Sequence, residues 1–181
     1  MHRERDFLDV ARSGRVEELR VFMKDNPSLN VNRRESWSSS TALHRACDWG
    51  RKGVVKLLLA HPDIDVNVKN KAGETPLSLG CESGKVSVVQ LLLKDPRVDV
   101  ASVDKNDCTP LWTASYCGRL KVVEWLIASG RDLGDVNKKG KYHGGNRCTA
   151  LQIARKMRNT EIEALLARFT AIPLRLVTKF E

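Results

Sequence analysis

The chain has 181 residues, enough for one globular domain or one short stack of repeats. Hydrophobic residues make up 41% and charged residues 29%, as in ordinary folded proteins, and no apolar run approaches the roughly 20 residues of a membrane helix. The net charge is +9, of which residues 131–181 hold most, with 11 basic and 5 acidic side chains; the charged start of the chain is not expected to act as a secretory signal.

The first predicted element is a pair of helices in residues 1–36. Five of its residues have the same mutual spacing as five residues of the next segment, and Glu18 stands where that segment has Val54. A polar residue is expected there if the pair caps a stack, because a terminal unit keeps one face in water. The matching residues are Phe7, Ala11, Gly14, Leu19 and Phe22 against Leu43, Cys47, Gly50, Val55 and Leu58.

The chain then repeats at a constant interval in segments 37–70, 71–104 and 105–138. Thr109 follows Thr75 by the same number of residues as Thr75 follows Thr41. Each contains a threonine that suits a helix N-cap, followed in two of the segments by a proline that suits the first helical turn. Each also contains a glycine that can end this first helix in a left-handed conformation. The repeated residues are Thr41-Ala42-Leu43, Thr75-Pro76-Leu77 and Thr109-Pro110-Leu111, with Gly50, Gly84 and Gly118.

A second helix is predicted after each glycine. Val88, Leu91 and Leu92 form an apolar stripe at i, i+3 and i+4, which is typical of a helix with one buried face. The stripe recurs one unit later as Val122, Trp125 and Leu126, so the sequence predicts that Trp125 lies in the core.

Residues 139–170 form a last unit, in which the segment before the first helix is longer than in the other units. Thr149 lies farther along the chain from Thr109 than the constant interval allows, which predicts an elongated fingertip loop before it. Arg158 and Asn159 replace the helix-ending glycine, and Asn159 is expected in the left-handed conformation. Thr160 and Glu163 predict a capping box for the final helix.

The apolar tail 171–181 has two open interpretations. Pro173 blocks a continued helix, and Leu174, Leu176 and Phe180 alternate with polar residues. The tail either folds back over the last unit or is the stub of a longer protein.

The Thr-Pro-Leu motifs, the Gly-x-x-x-Val-Val-x-x-Leu-Leu stretch from Gly84 and the ending Asp65-Val66-Asn67 resemble the ankyrin repeat family. The resemblance covers nearly the whole chain. It implies an all-α ankyrin-repeat solenoid of stacked helix-turn-helix units with short fingertip turns. The family's Thr–His hydrogen bond is expected only in the first full unit, which has His44 after its leucine.

Catalysis and metal binding are disfavoured. His44, Cys47 and Asp48 are neighbours on one helix, but Cys47 recurs as Cys81 at the family's small buried position. The four histidines are scattered, the glycines around Gly140 do not follow a strand, and no cofactor is expected. Five cysteines without a Cys-x-x-Cys pair favour reduced thiols in an intracellular protein, cytoplasmic or nuclear.

The resemblance implies a binding surface made of the fingertip turns and the ends of the first helices, on the concave side of the stack. Trp37, Trp49 and Tyr116 are expected to form an aromatic anchor there, because tryptophan and tyrosine dominate interface energetics. The predicted partner-binding residues are Trp37, Asp48, Trp49, Lys71, Glu82, Lys105, Trp112, Tyr116, Lys139 and Lys141.

The sequence therefore predicts a monomeric, non-catalytic module that binds another protein. Lysine and arginine crowd the fingertips, which favours an acidic partner. Two alternatives stay open: RNA or another polyanion bound by the basic C-terminal half, and a repeat segment within a larger protein whose activity lies elsewhere.

Overall fold

A computed structural model describes the backbone of residues 2–142 and 145–171 and the side chains of residues 7–142 and 145–171. The expectations for His143, Gly144 and most of the tail lie outside the described residues.

The described residues form helix pairs in sequence, and about half of the chain is helical, which confirms the all-α prediction. The first helices of the pairs are α1 (His2–Ser13), α3 (Ala42–Asp48), α5 (Pro76–Glu82), α7 (Pro110–Tyr116) and α9 (Ala150–Lys156). The second helices are α2 (Val16–Asp25), α4 (Lys52–Leu59), α6 (Val86–Lys94), α8 (Leu120–Ala128) and α10 (Thr160–Ala171). Two short strands, β1 (Gly140–Lys141) and β2 (Arg147–Cys148), precede α9.

The first helices begin where the threonines predict. Thr41, Thr75, Thr109 and Thr149 are the N-cap residues of α3, α5, α7 and α9, and each hydroxyl accepts a hydrogen bond from the backbone N–H three residues later. These bonds satisfy donors that a helix N-terminus would otherwise leave without a partner.

Left-handed residues end the first helices, as predicted for the glycines. Gly50, Gly84 and Gly118 have φ angles of 69°, 67° and 67°. In the last unit the prediction was wrong by one residue, because Arg158 has a φ of 60° and stands at the glycine position, while Asn159 follows it. The predicted capping box also fails: α10 already includes Thr160, and the Glu163 carboxylate accepts a hydrogen bond from Arg155 Nε at 2.7 Å.

The helices stack in two rows that enclose the core. Neighbouring first helices contact one another, as do neighbouring second helices. Val54, Val88 and Val122 are buried between the rows. The prediction for Trp125 was wrong, because its side chain is 43% exposed. Its stripe position lies at the border of the buried face, where Leu57 and Leu91 are only half-buried.

The N-terminal helix pair packs on the first full unit, with α1 against α3 and α2 against α4. Phe7, Ala11 and Leu19 are fully buried, and the rings of Phe7 and Phe22 lie 5.6 Å apart. Glu18 is exposed and forms an ion pair with Arg15, so the polar substitution faces water.

Side chains that reach back one unit join the repeats. The residue that follows the left-handed residue of one unit lies over the left-handed glycine of the preceding unit. Arg119, for example, lies over Gly84, where an added Cβ would be 2.9 Å from Arg119 Cδ. Three of these side chains donate to a carbonyl at the end of the preceding first helix, which satisfies an acceptor that the helix leaves open. The bonds are Arg51 Nε to Arg12 O, Arg119 Nε to Glu82 O and Asn159 Nδ2 to Ser115 O, each 2.8 Å.

Candidate functional site

The fingertip turns form a continuous backbone ladder. Lys71 N donates to Ser38 O at 2.8 Å, and Lys105 N donates to Ala72 O at 3.0 Å. Lys141 N donates to Asn106 O at 2.7 Å. The structural equivalent of Lys105 is therefore Lys141, whereas a strictly constant repeat interval would place Lys139 there. Two of the extra residues precede this ladder position, and the remainder follow it.

The lengthened last fingertip is a small hairpin rather than an irregular loop. Strand β1 pairs antiparallel with β2, with Gly140 opposite Cys148. A Cβ at Gly140 would lie 2.7 Å from Cys108 Sγ and 3.2 Å from Cys108 Cα, so only glycine allows this approach to the preceding unit.

An ion pair braces the hairpin. Arg147 contacts the Asp107 carboxylate at 2.8 Å and donates to Lys139 O at 2.9 Å. The hydrogen bond from Arg147 lowers the pKa of Asp107. Arg147 therefore serves the fold of the fingertip.

Four fingertip lysines keep their charge available. Lys71, Lys105, Lys139 and Lys141 are exposed, and none has an ion pair with an acidic side chain in the described part of the chain. Lys71 Nζ donates to Ser36 O at 2.9 Å, which positions its ammonium without neutralising it.

Trp112, one of the predicted partner-binding residues, is almost fully buried, with 5% of its surface exposed. Its indole Nε1 donates to Cys148 O at 2.8 Å, across to the next fingertip. His44 Nε2 makes the equivalent bond to Glu74 O at 3.0 Å. Trp112 therefore joins two units from the position where the family's histidine would stand, and this contact places its ring under the hairpin.

Trp112 forms the floor of a groove between the third full unit and the hairpin. Its ring stacks on Tyr116 with centroids 5.5 Å apart, and the rings of Tyr116 and Tyr142 meet edge to face with centroids 5.6 Å apart. The groove has a volume of about 370 Å³. We call it the aromatic groove, and the side chains that define it are Glu74, Glu82, Asp104, Trp112, Tyr116 and Tyr142.

Comparison with known families assigns the architecture. The profile of a family described as ankyrin repeats, in three copies, matches residues 8–70 and 63–139. The chain belongs to the ankyrin-repeat family. A comparison with curated proteins gave no match.

The ankyrin stack separates the aromatic side chains that the sequence grouped as one anchor. Trp37 and Trp49 are 68% and 50% exposed, as predicted. The Trp37 ring lies 4.8 Å from the Arg45 guanidinium carbon, and the Trp49 ring lies 6.0 Å from that of Arg51. In the described residues, the ring contacts of Tyr116 are with Trp112 and Tyr142.

The ends of the first helices nevertheless form one row. Ser83 Oγ donates to Asp48 Oδ1 at 2.5 Å, which joins the helix end of one unit to the next. Glu82, Tyr116 and Cys117 continue this row into the aromatic groove. The row is acidic and aromatic, whereas the fingertips beside it are basic. Sequence spacing identified Glu82 and Tyr116, and the basic fingertip pattern identified Lys141. Glu74, Asp104 and Tyr142 were not identified, since those three depend on the path of the turns.

The thiol and imidazole of the ankyrin core are poorly suited to nucleophilic chemistry. Burial raises the pKa of Cys47 well above its usual value, so the reactive thiolate is disfavoured. Burial lowers the pKa of His44 to about 4. Within the residues that the structure describes, no three His, Cys, Asp or Glu side chains converge to hold a metal ion, and no helix is long and apolar enough to span a membrane.

Proposed function

We propose that this chain binds a partner protein on one face, without catalysis. The fingertip face consists of the fingertip turns together with the ends of the first helices. Ankyrin repeats are generally protein–protein interaction modules. The observation that carries the proposal for this face is the exposure of Trp37 and Trp49, together with fingertip lysines that have no acidic partner among the described residues.

The charge pattern favours a partner with an acidic segment opposite the fingertips. The backbones of Lys71, Lys105 and Lys141 form successive rungs of the fingertip ladder, so these lysines follow one another along one edge. Such a row speeds and orients encounter more than it adds affinity. Binding should therefore slow with added salt, through the association rate.

Trp49 and Tyr116 are proposed as the anchors on the helix-end row. Trp49 presents half of its surface to solvent, and a partner that covers an indole gains both apolar burial and contact area. Tyr116 is half-buried, because one side of its ring rests on Trp112.

The test uses Trp125 as a matched control. Purification of partners from the native cell is repeated with the wild type, Trp49→Ala and Trp125→Ala as bait, and each captured protein is then purified and titrated. The proposal expects Trp49→Ala to weaken binding by about 1–2 kcal/mol, while Trp125→Ala, an exposed tryptophan on the other helix row, leaves the affinity unchanged.

Equal losses from the two substitutions would contradict this choice of face. Binding of random RNA that falls steeply between two salt concentrations, with no protein captured, would favour the alternative of a polyanion ligand on the basic C-terminal half.

A further inference from the structure

We propose that the aromatic groove binds a positively charged side chain, an arginine or a lysine, presented by the partner. The proposal deepens the proposed function, on which it rests for the source of that side chain. The observation that carries it is that aromatic rings and carboxylates line the same groove.

The aromatic wall offers the surface that a cation prefers. The faces of tyrosine and tryptophan rings carry negative potential, which attracts ammonium and guanidinium groups within about 6 Å of the ring centre. Tyr116 stacks on Trp112 at an interplanar angle of 22°, so the buried Trp112 ring supports the half-buried Tyr116 ring that lines the groove. This wall already interacts with one cation of the chain itself, since Lys156 Nζ lies 4.5 Å from the centre of the Tyr142 ring.

Three carboxylates set the charge of the groove. Asp104 Oδ1 accepts hydrogen bonds from the backbone N–H groups of Asn106 and Cys108, and Glu74 Oε2 accepts one from Asn70. These hydrogen bonds hold both carboxylates in place. Ion pairs in the described residues engage neither of these two nor Glu82.

A bound cation would stabilise the charged form of the Glu82 carboxylate. Burial raises its pKa, and the nearby charges of Glu74, Asp48 and Asp104 raise it further, while Arg119 acts in the opposite direction. A cation in the groove would offset this mutual repulsion. Lys141 also lines the groove, but its single positive charge does not balance the three carboxylates. A bound cation would offset part of the remaining negative charge.

Other occupants fit this groove less well. An anionic group would meet the three carboxylates. A divalent metal ion needs converging ligands, and no group of three acidic, histidine or cysteine side chains in the described chain provides them. A flat guanidinium or an ammonium on a long stem can lie against the rings and still reach a carboxylate.

The experiment titrates the full isotope-labelled chain with three short capped peptides and follows its backbone amide NMR signals. The peptides have the form glycine-X-glycine, where X is arginine, lysine or citrulline, the uncharged analogue of arginine. We expect the arginine or the lysine peptide to shift the amides of Glu82, Tyr116 and Tyr142, and the citrulline peptide to leave them unchanged.

Two variants locate the charge. Glu82→Gln should weaken binding of the charged peptide by about fivefold, because a solvated charge pair is lost. Glu161→Gln, an exposed carboxylate on α10 away from the groove, should leave it unchanged.

Three outcomes would overturn the inference: equal binding of the citrulline peptide, unaltered binding by Glu82→Gln, or no shifts at these amides with either charged peptide at millimolar concentration. Loss of these shifts would not affect the Trp49 test, which uses the partner protein. A partner insensitive to Trp49→Ala would likewise leave the peptide result standing.

Discussion

The third position after the N-cap threonine shows how different side chains solve the same local problem. His44 accepts a hydrogen bond from Thr41 N at 3.1 Å through Nδ1 and donates to the next unit through Nε2. Gln152 reproduces the first bond, since its Oε1 accepts from Thr149 N at 3.0 Å. Trp112 reproduces the second. Among these three residues, the histidine alone makes both bonds.

The double role of His44 requires the neutral imidazole, which makes stability depend on pH. Nδ1 can accept from Thr41 only while it carries no proton, and burial lowers the pKa of His44 from 6.5 to about 4. The unfolded chain therefore binds more protons between these values. Stability is fully kept above pH 6.5 and is lost as the pH falls toward about 4, by up to about 3 kcal/mol.

Urea unfolding of the wild type and of His44→Gln at several pH values checks this. Glutamine is chosen because Gln152 caps α9 from the same position. In the variant, the free energy of unfolding should no longer show the decrease between pH 6.5 and 4 that His44 causes in the wild type. Parallel curves for His44→Gln and the wild type would show that another group is responsible.

At the scale of the element, α5 differs from the other first helices in one small residue. Gly80 occupies the position that Ala46, Ala114 and Ala154 occupy in α3, α7 and α9. A Cβ at Gly80 would lie 3.5 Å from the nearest side-chain atom, an ordinary contact distance. The helix therefore has room for the alanine that its neighbours contain.

We expect Gly80→Ala to stabilise the protein by about 0.5–1 kcal/mol, because alanine loses less backbone entropy in a helix than glycine. Gly84→Ala is the matched comparison in the same unit. It should destabilise, because Gly84 has a φ of 67° and its Cβ would meet Arg119. Urea midpoints measure both, and a loss of stability in Gly80→Ala would contradict the prediction.

Helix starts and ends were predictable because they depend on local residues. A threonine before a helix and a left-handed glycine after it act through bonds within a few residues, and Thr75 and Gly84 lie where expected. Glu163 was not predictable in this way. Its carboxylate could accept a hydrogen bond from the backbone N–H of the N-cap residue or from the side chain of Arg155 in the preceding helix. The structure has the bond from Arg155.

At the scale of the molecule, the stack is one-dimensional. Most contacts between helices join a unit to itself or to the next unit, so the end units each lack one neighbour among the described residues. We expect backbone amides of α5 and α7 to exchange hydrogen most slowly, and those of α2 and α10 to exchange faster. Hydrogen exchange followed by mass spectrometry measures this. Equal protection of α2 and α5 would show that the stack opens as one unit.

The aromatic groove was only partly predictable, because it is assembled from several units. Glu82 and Tyr116 were found from the repeat spacing, since they share equivalent helix-end positions. Tyr142 enters the groove because the hairpin turns it toward Tyr116, and nothing in the constant repeat interval fixes that path. An insertion interrupts the repeat interval, so the spacing of equivalent residues cannot predict which side chains beside the insertion line a site.

The side chains that reach back one unit bear on how such a chain could change its length. Every internal unit brings both halves of the joint: a residue that lies over its predecessor and a glycine for its successor to cover. A duplicated copy of one whole unit, such as segment 71–104, would thus contain both the covering residue and the covered glycine, and could pack against a unit on either side. Growth by whole copies would then require no newly evolved contact, whereas loss of part of a copy would leave a carbonyl uncovered at the break.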